Sequence, residues 1–381
     1  MANSLHLSRE VKVYVSFAGS LWEIPVLDGY SFSQSTNTSE VTLAEMADSS
    51  NASRRGRKMF TDSVAPAEFS FSTYARPYTV DDGGTDEHHA VEEVLWAMFA
   101  GAPADSFNPA GGAGDPGVWT DVIGQVTTAS GDDIVGAKID FDSSNKLTFA
   151  TSTIYFKFPA SSDGGTDLWY QLTDAVLTEA SVDFDIDGIT TINWSGQAKK
   201  LSEPDSAPNL TGAITNEITS TGNFIRNRLT QLSITGSGAA PILSSYNVVL
   251  TGGNVSFTNE VNFVTPASLG IVNEPLNHVM GSRSVSGSFT CYIDHNAGSS
   301  ADLFDDLLAS TTLVTNSFKL IFDVGGTSAP HMRFVFPTAH IEIPTHSIED
   351  VISVETNFHA LPSDISDTDE ATLTYVGATS Q

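Results

Sequence analysis

The chain has 381 residues, with 17 Lys and Arg against 46 Asp and Glu, a formal net charge of -29. So negative a surface repels nucleic acid and anionic membrane, which excludes an ordinary nucleic-acid binder but not a protein that lets DNA pass without holding it. A lone cysteine, Cys291, excludes an internal disulfide and a cysteine-based zinc site, and its plain reading is a small buried hydrophobe.

The N-terminal MANSLHLSREVKVYVSF has no basic start followed by an apolar core, so no signal peptide is expected and synthesis and assembly in cytoplasm are the default. No apolar run approaches the roughly 20 residues of a membrane helix. Val11, Val13, Val15 and Phe17 alternate as one face of a strand, and YSFS at Tyr30 to Ser33 follows. A polar segment, Gln34 to Lys58, ends in the basic run Arg54, Arg55, Gly56, Arg57, Lys58. Phe69 to Tyr74 alternates again. An acidic loop then leads into AVEEVLWAMFA, Ala90 to Ala100, whose Val91, Val94, Leu95, Met98 and Phe99 fall at amphipathic helical spacing, with Gly101 and Pro103 as the stop. Residues 101–147 are rich in Gly, Asp and Pro and read as an inserted surface loop. Strands resume at Thr153 to Phe158 and Leu168 to Leu177.

The clearest stretch is ASVDFDIDGITTINWSG, Ala180 to Gly196. Val182, Phe184 and Ile186 alternate with Asp183, Asp185 and Asp187, and Ile192 and Trp194 alternate with Thr191 and Asn193, which predicts a β-hairpin. A two-residue Asp187-Gly188 turn sets Asp183 opposite Ile192 and mixes the faces. A three-residue loop, Ile186-Asp187-Gly188, sets Phe184 opposite Thr190, Val182 opposite Ile192 and Ala180 opposite Trp194. That register keeps one face apolar and places Gly188 in the left-handed region. The other face then carries Ser181, Asp183, Asp185, Thr191 and Asn193.

Beyond a Pro-bearing stretch from Leu201 to Thr221, the second half repeats the first in order: strand, polar loop, strand, acidic loop, short helix, two strands, hairpin. SGSFTCY at Ser286 to Tyr292 matches AEFSFSTY, with Phe289 on Phe71. SADLFDDLLAS at Ser300 to Ser310 matches the helix, with Leu303 on Val94 and Leu308 on Phe99. Ala339 falls on Ala175, and Asn357-Phe358 on Asn193-Trp194.

Chemistry is hard to find in these residues. Asp183, Asp185, Asp187 and Gly188 open a calcium-loop pattern, but its twelfth position is Trp194 rather than an acid, so a strand with a negative face is preferred. His88 and His89 are adjacent, as two ligands of one site on a helix are not, and His331 and His359 read as isolated imidazoles. No catalytic residue, metal ligand or cofactor is assigned. The many acids permit a glycosidase carboxylate pair, but no spacing selects one. The basic run at 54–58 is read either as a solvated loop or as an electrostatic plug that docks Arg54, Arg55, Arg57 and Lys58 on an acidic patch of an identical neighbour.

With these pieces in place, the chain resembles the tail tube proteins of tailed bacteriophages. The single short helix after an antiparallel pair, the late hairpin, the long polar loop from Gln34 to Phe60 and the acidic, nearly cysteine-free composition carry the resemblance. It implies a mainly β protein: two tandem antiparallel β-sandwich or barrel tail-tube domains, 1–204 and 225–381 about a linker at 205–224, each with one short flanking α-helix. It implies further that subunits close into homotrimeric, pseudo-hexameric rings that stack into a tube, with loops Gln34 to Phe60 and Thr258 to Met280 reaching the adjacent ring. Asp183 and Asp185 would face an acidic lumen that conducts phage DNA into the host without specific binding. The implied protein has no enzymatic activity and no cofactor. It sits in the virion tail, away from membrane, with tape measure, sheath, terminator and baseplate proteins as further partners. The alternatives are another tube-like tail component, a tail terminator or baseplate ring protein, or an acidic β-rich adhesin or carbohydrate-binding module.

Overall fold

The computed structural model describes residues 6–41, 49–50, 58–81, 86–109, 117–127, 134–141, 149–160, 166–215, 220–237, 242–309, 318–347 and 352–380. The chain runs through β1 (Lys12–Phe17), β2 (Ser20–Ile24), β3 (Ser31–Val41), β4 (Lys58–Tyr74), the short hairpin β5 (Pro77–Asp81) and β6 (Asp86–Ala90), and helix α1 (Glu93–Ala100). It continues through β7 (Phe107–Asn108), β8 (Val118–Trp119), β9 (Ile123–Thr127), β10 (Ile134–Asp140), β11 (Ser152–Phe158), β12 (Leu168–Asp185), β13 (Thr191–Ala198), β14 (Lys200–Ser202) and β15 (Ile214–Thr215). The remainder is β16 (Gln231–Thr235), β17 (Tyr246–Asn247), β18 (Leu250–Val264), β19 (Asn277–Tyr292), helix α2 (Ser300–Ala309), β20 (Phe318–Val324), β21 (His331–Ile341), β22 (Thr345–Ser347), β23 (Ser353–Ala360) and β24 (Thr372–Val376). The protein is mainly β, and among the described residues the sheets pack face to face with two α-helices, all named strand pairs being antiparallel except β15 with β2.

The hairpin from Ala180 to Gly196 adopts the register its apolar face requires. Ala180 lies opposite Trp194, Val182 opposite Ile192 and Asp183 opposite Thr191. Gly188 takes φ 110 in the turn. Ala180, Val182, Phe184, Ile192 and Trp194 are buried, while Asp183 and Asp185 are exposed. A one-residue slip would have sent this apolar set to solvent.

From this hairpin one sheet extends both ways. β13 pairs with β4, and β4 with β3. On the other side β12 pairs with β18, β18 with β19, and β19 with β23, whose far side carries the end of β21 and then β22. β12 and β21 are bent: their earlier residues leave this sheet to pair with β11 and β20, which in turn pair with β1 and β16. The inner faces of both layers meet in one core. Trp96 of α1 lies 4.8 Å from Trp194, 6.2 Å from Phe141 and 5.9 Å from Phe257. Edge-to-face contacts of this kind add to the burial of the rings themselves.

Four expectations change. The helix begins at Glu93, because Ala90 still pairs with Pro77 at the end of β6. It is also not amphipathic: all eight of its residues are buried, because Phe141 and both sheets enclose it. Gly101 at φ 86 closes it, as expected. The described ends of the loop expected from Gln34 to Phe60 belong to a strand ladder, since Gln34 to Val41 continues β3 and pairs back onto Lys58 to Ala67, and its second-half counterpart, Thr258 to Val264, pairs onto Asn277 to Ser284. Residues 101–147 are not merely a surface loop. Ile139 and Phe141 are fully buried, Trp119 stacks on Trp22 at 5.8 Å, and β10 pairs with both β9 and β24.

Strand register also corrects one match made by sequence. Phe69 on β4 faces Gly196 on β13, and Gly287 on β19 faces Phe358 on β23. Large and small residues have changed places across one strand pair, which conserves its volume. Phe358 therefore corresponds to Gly196, two residues on from Trp194. The match of Ala339 to Ala175 stands: each sits at a register shift, opposite Phe318 and Ser152 respectively.

A Cβ on Gly196 would collide with the Phe69 ring and with the Val176 carbonyl, and the latter cannot move without the strand. Gly196→Ala is expected to lose about 1–3 kcal/mol in urea unfolding, an overpacking cost. Gly196→Phe alone is expected to be worse, and Phe69→Gly in the same chain to recover only the part due to the ring, since the clash with the Val176 carbonyl remains. A double-mutant cycle on unfolding midpoints checks this.

Candidate functional site

The outward face of the central sheet is built from the residues that alternate with the core. Reading across the strands, one row runs Ser72, Asn193, Ser181, Ser256, Ser286, His359. The next runs Tyr74, Thr191, Asp183, Asn254, Ser288, Asn357. Glu68, Glu179, Asp183, Asp185 and Glu355 stand exposed on the same face, and among the described residues of these rows there is no Lys or Arg. Short polar side chains tie neighbouring strands together. The Ser72 hydroxyl donates to Asn193 Oδ1 at 2.7 Å, and Asn193 Nδ2 donates to Asp183 Oδ2 at 2.9 Å. The Asn357 amide, donating at 2.9 Å, and next the His359 ring at 3.1 Å hold the Glu342 carboxyl below its ordinary range. His359 is thus not isolated, a contact between neighbouring strands that spacing along the chain does not reveal.

Asp183 and Asp185 lie where the alternation placed them, exposed and on one face. Asp187 sits in the turn and bonds Arg228 at 3.1 Å. Arg54, Arg55 and Arg57 lie outside the described residues. Lys58 is exposed at the start of β4, with its Nζ 5.7 Å from the Phe60 ring centre. The β3–β4 arm also exposes Val41, Met59 and Phe60. The arm formed by β18 and β19 exposes Val264, Leu269, Ile271, Leu276 and Val279. The two arms touch: Val64 N donates to Asn273 O at 2.8 Å, and Asn273 N donates to Asp62 O at 3.1 Å.

Two interior features are not sites of this kind. A cavity of about 550 Å³ opens between β19 and residues 361–370, where Arg283 Nε donates to Glu370 at 2.6 Å and an Arg283 terminal nitrogen donates to the Phe141 carbonyl at 2.8 Å. The second is a buried polar cluster at the start of α1. His88 and His89 belong to β6 rather than to the helix, and both are buried. His88 Nδ1 accepts from Gly377 N at 3.0 Å, and His89 Nδ1 lies 3.1 Å from Glu93. Burial opposes charge on His89, but Glu93 and then Glu87 leave its pKa raised. Burial pushes Glu92 from 4.5 up to about 7, against the pull of the neighbouring Arg76 cation. The space beside Tyr78 and His89 is about 10 Å³, no larger than one water. This cluster braces the β5–β6 hairpin and has no room for a ligand.

No protein-family model matches the chain. Among curated proteins, the chain is 28% identical over 384 residues to the tail tube protein pb6 of Escherichia phage T5, an alignment taking in 97% of this chain and 75% of that protein. The chain is a homologue of a phage tail tube protein. The alignment spans both halves and residues 101–147 rather than one shared motif.

The buried cluster generates a pH prediction. Glu92 has a higher pKa folded than unfolded, so the folded state holds the extra proton between about pH 4.5 and 7, and stability falls as pH rises through that window. The raised His89 pKa acts in the same direction, its contribution fading as pH rises through the folded value. Glu92→Gln removes one of these titrations. Urea unfolding between pH 5 and 8 is expected to show a shallower decline in the variant, with a difference of about 2 kcal/mol across the window.

Proposed function

We propose that this chain is a structural subunit of a phage tail tube, whose copies close into rings that stack around an acidic channel for DNA. The observation that carries the reading is the central sheet. One of its faces is buried, the other is polar and acidic, and among the described residues both of its end strands are paired on one side only. A sheet left in that state invites edge pairing, and closure into a barrel removes the edges. The homology to a tail tube protein supports self-assembly into such a tube. In this reading Asp183 and Asp185 line the lumen, where fixed negative charge and short hydroxyls give phosphate nothing to hold.

The halves are read as two tandem tube domains, 1–204 and 225–381, joined by a linker at 205–224. In support, the pairing order β1–β11–β12–β13–β4–β3 is matched by β16–β20–β21–β23–β19–β18. Register shifts fall at equivalent places in β11–β12 and β20–β21. Two domains per chain suit a homotrimeric ring with pseudo-sixfold symmetry. Copies of the subunit are then its first partners, and the tape measure, sheath, terminator and baseplate proteins are further ones. The hairpin arms carry the stacking: their exposed Leu269, Ile271 and Leu276 supply apolar area, and the 54–58 basic run docks on the acidic neighbour.

Purified protein is expected to form rings or tubes in negative-stain microscopy; monomers at all salt and protein concentrations would remove the reading. Replacing Arg54, Arg55 and Arg57 by Ala, or Ile271 by Asp, is expected to shorten tubes while rings persist. The arginine effect should weaken with salt. Unchanged tube length would sink the stacking assignment. For the lumen, wild-type tubes should fail to retain duplex DNA in cosedimentation at low salt. Tubes carrying Asp183→Lys and Asp185→Lys should retain it; equal retention by both would place these residues elsewhere.

A further inference from the structure

The central sheet begins at β3, which pairs with β4 on one side, and ends at β22, which pairs with β23 on one side. Among the described residues no strand pairs with the other side of either. Midway between them two strands with the same surroundings do meet. β12 and β18 pair antiparallel over Glu179 to Asp185 and Gly252 to Thr258, with Val182 opposite Val255.

The exchanged Phe and Gly fix how these positions correspond. Phe69 lies between Gly196 on β13 and Phe32 on β3. Gly287 lies between Phe358 on β23 and Val255 on β18. Phe32 thus occupies in the first half the place of Val255 in the second. Four residues back from Gly196 and from Phe358 stand Ile192 and Val354, whose partners on the far side are Val182 and His346. His346 thus occupies in the second half the place of Val182 in the first. The pair that meets inside the chain, Val182 with Val255, has as its counterpart the pair left open at the two ends, His346 and Phe32.

We infer that β22 of one copy pairs antiparallel with β3 of the next, with His346 opposite Phe32, Thr345 opposite Ser33, and Ser347 opposite Ser31. The occupant of each open edge is a second copy of this chain, and the seam between copies repeats the seam within each. The inference rests on the ring reading and adds the register, which ring formation alone leaves undetermined. Phe32 is prepared for the position. It is half-buried on the core side, with the rings of Phe156 at 4.5 Å and Tyr170 at 5.5 Å beneath it. Ser31 and Ser33 fall on the outward face, so this register continues the polar rows from one copy to the next without a break. A shift of one residue would turn Phe32 toward that polar face.

Engineered disulfides test the register. Cys291 is buried and is the chain's one native cysteine, so the background is low. Two in-register variants are made, Phe32→Cys with His346→Cys and Ser33→Cys with Thr345→Cys. Neighbouring antiparallel pairs alternate in spacing, and one of the two has the closer approach. An off-register control, Ser33→Cys with Ser347→Cys, sets the thiols on a diagonal too long for a disulfide. Each protein is checked for rings by negative stain, oxidised, and run on a denaturing gel without reductant. The expected result is that at least one in-register variant moves most of its chains into covalent species larger than a monomer, reversed by reductant, while the control stays monomeric. If rings are present but both in-register variants stay monomeric, or the control crosslinks instead, the register is wrong and the tube reading survives. If neither wild type nor variants form rings, the tube reading fails and the seam falls with it.

Discussion

The structure depends on the hydrogen-bonding demand of strand edges. Every strand carries N–H and C=O groups on both sides, and a buried edge must find partners for them. In this chain β12 and β18 satisfy one another across the boundary between the two halves of the sequence. That seam lets the halves share a core in which Phe184 of the first lies 5.6 Å from Phe322 of the second. Among the described residues it also leaves the end strands of the sheet, β3 and β22, each paired on one side.

The chemistry of the outward face follows from the same arrangement. A sheet with one dry face must be polar on the other, and the polar residues chosen here are short. Ser, Thr and Asn bond across strands, as Ser72, Asn193 and Asp183 do, and leave a smooth surface with the acids projecting. The described cations nearest this face stand at its periphery, Arg228 near the turn and Lys58 at the outer end of an arm, opposite Val41. Among the described residues these rows carry no cation, and such a face has little to offer a phosphate backbone.

Helix α1 and residues 101–147 show how unequal two similar halves become. α1 is enclosed on every side, whereas the C-terminal part of α2 leaves Leu308 exposed, where sequence matching had set it on the buried Phe99. The strands of residues 101–147 account for the difference, because Phe141 covers α1 while β10 recruits the C-terminal β24. The Gly and Asp content of that segment hid the four strands β7 to β10, since period-two alternation is faint when the apolar positions are as small as Ala137.

What the sequence by itself determined is the local half of the problem. Alternation from Val182 to Trp194 set the hairpin, its register and its two faces, because a strand has period two and only one register keeps apolar residues together. Asp183 and Asp185 were legible as surface acids for the same reason. Tertiary structure alone decided which strands lie side by side. The β12–β18 seam, the His359–Glu342 contact and the buried Glu92 near Arg76 join residues distant in the chain, and side-chain pattern within a strand says nothing about the identity of its neighbour. Only the ladder of partners revealed that Phe358 stands in the place of Gly196, because large and small residues exchanged across a strand pair fill the same volume while erasing the likeness between the sequences.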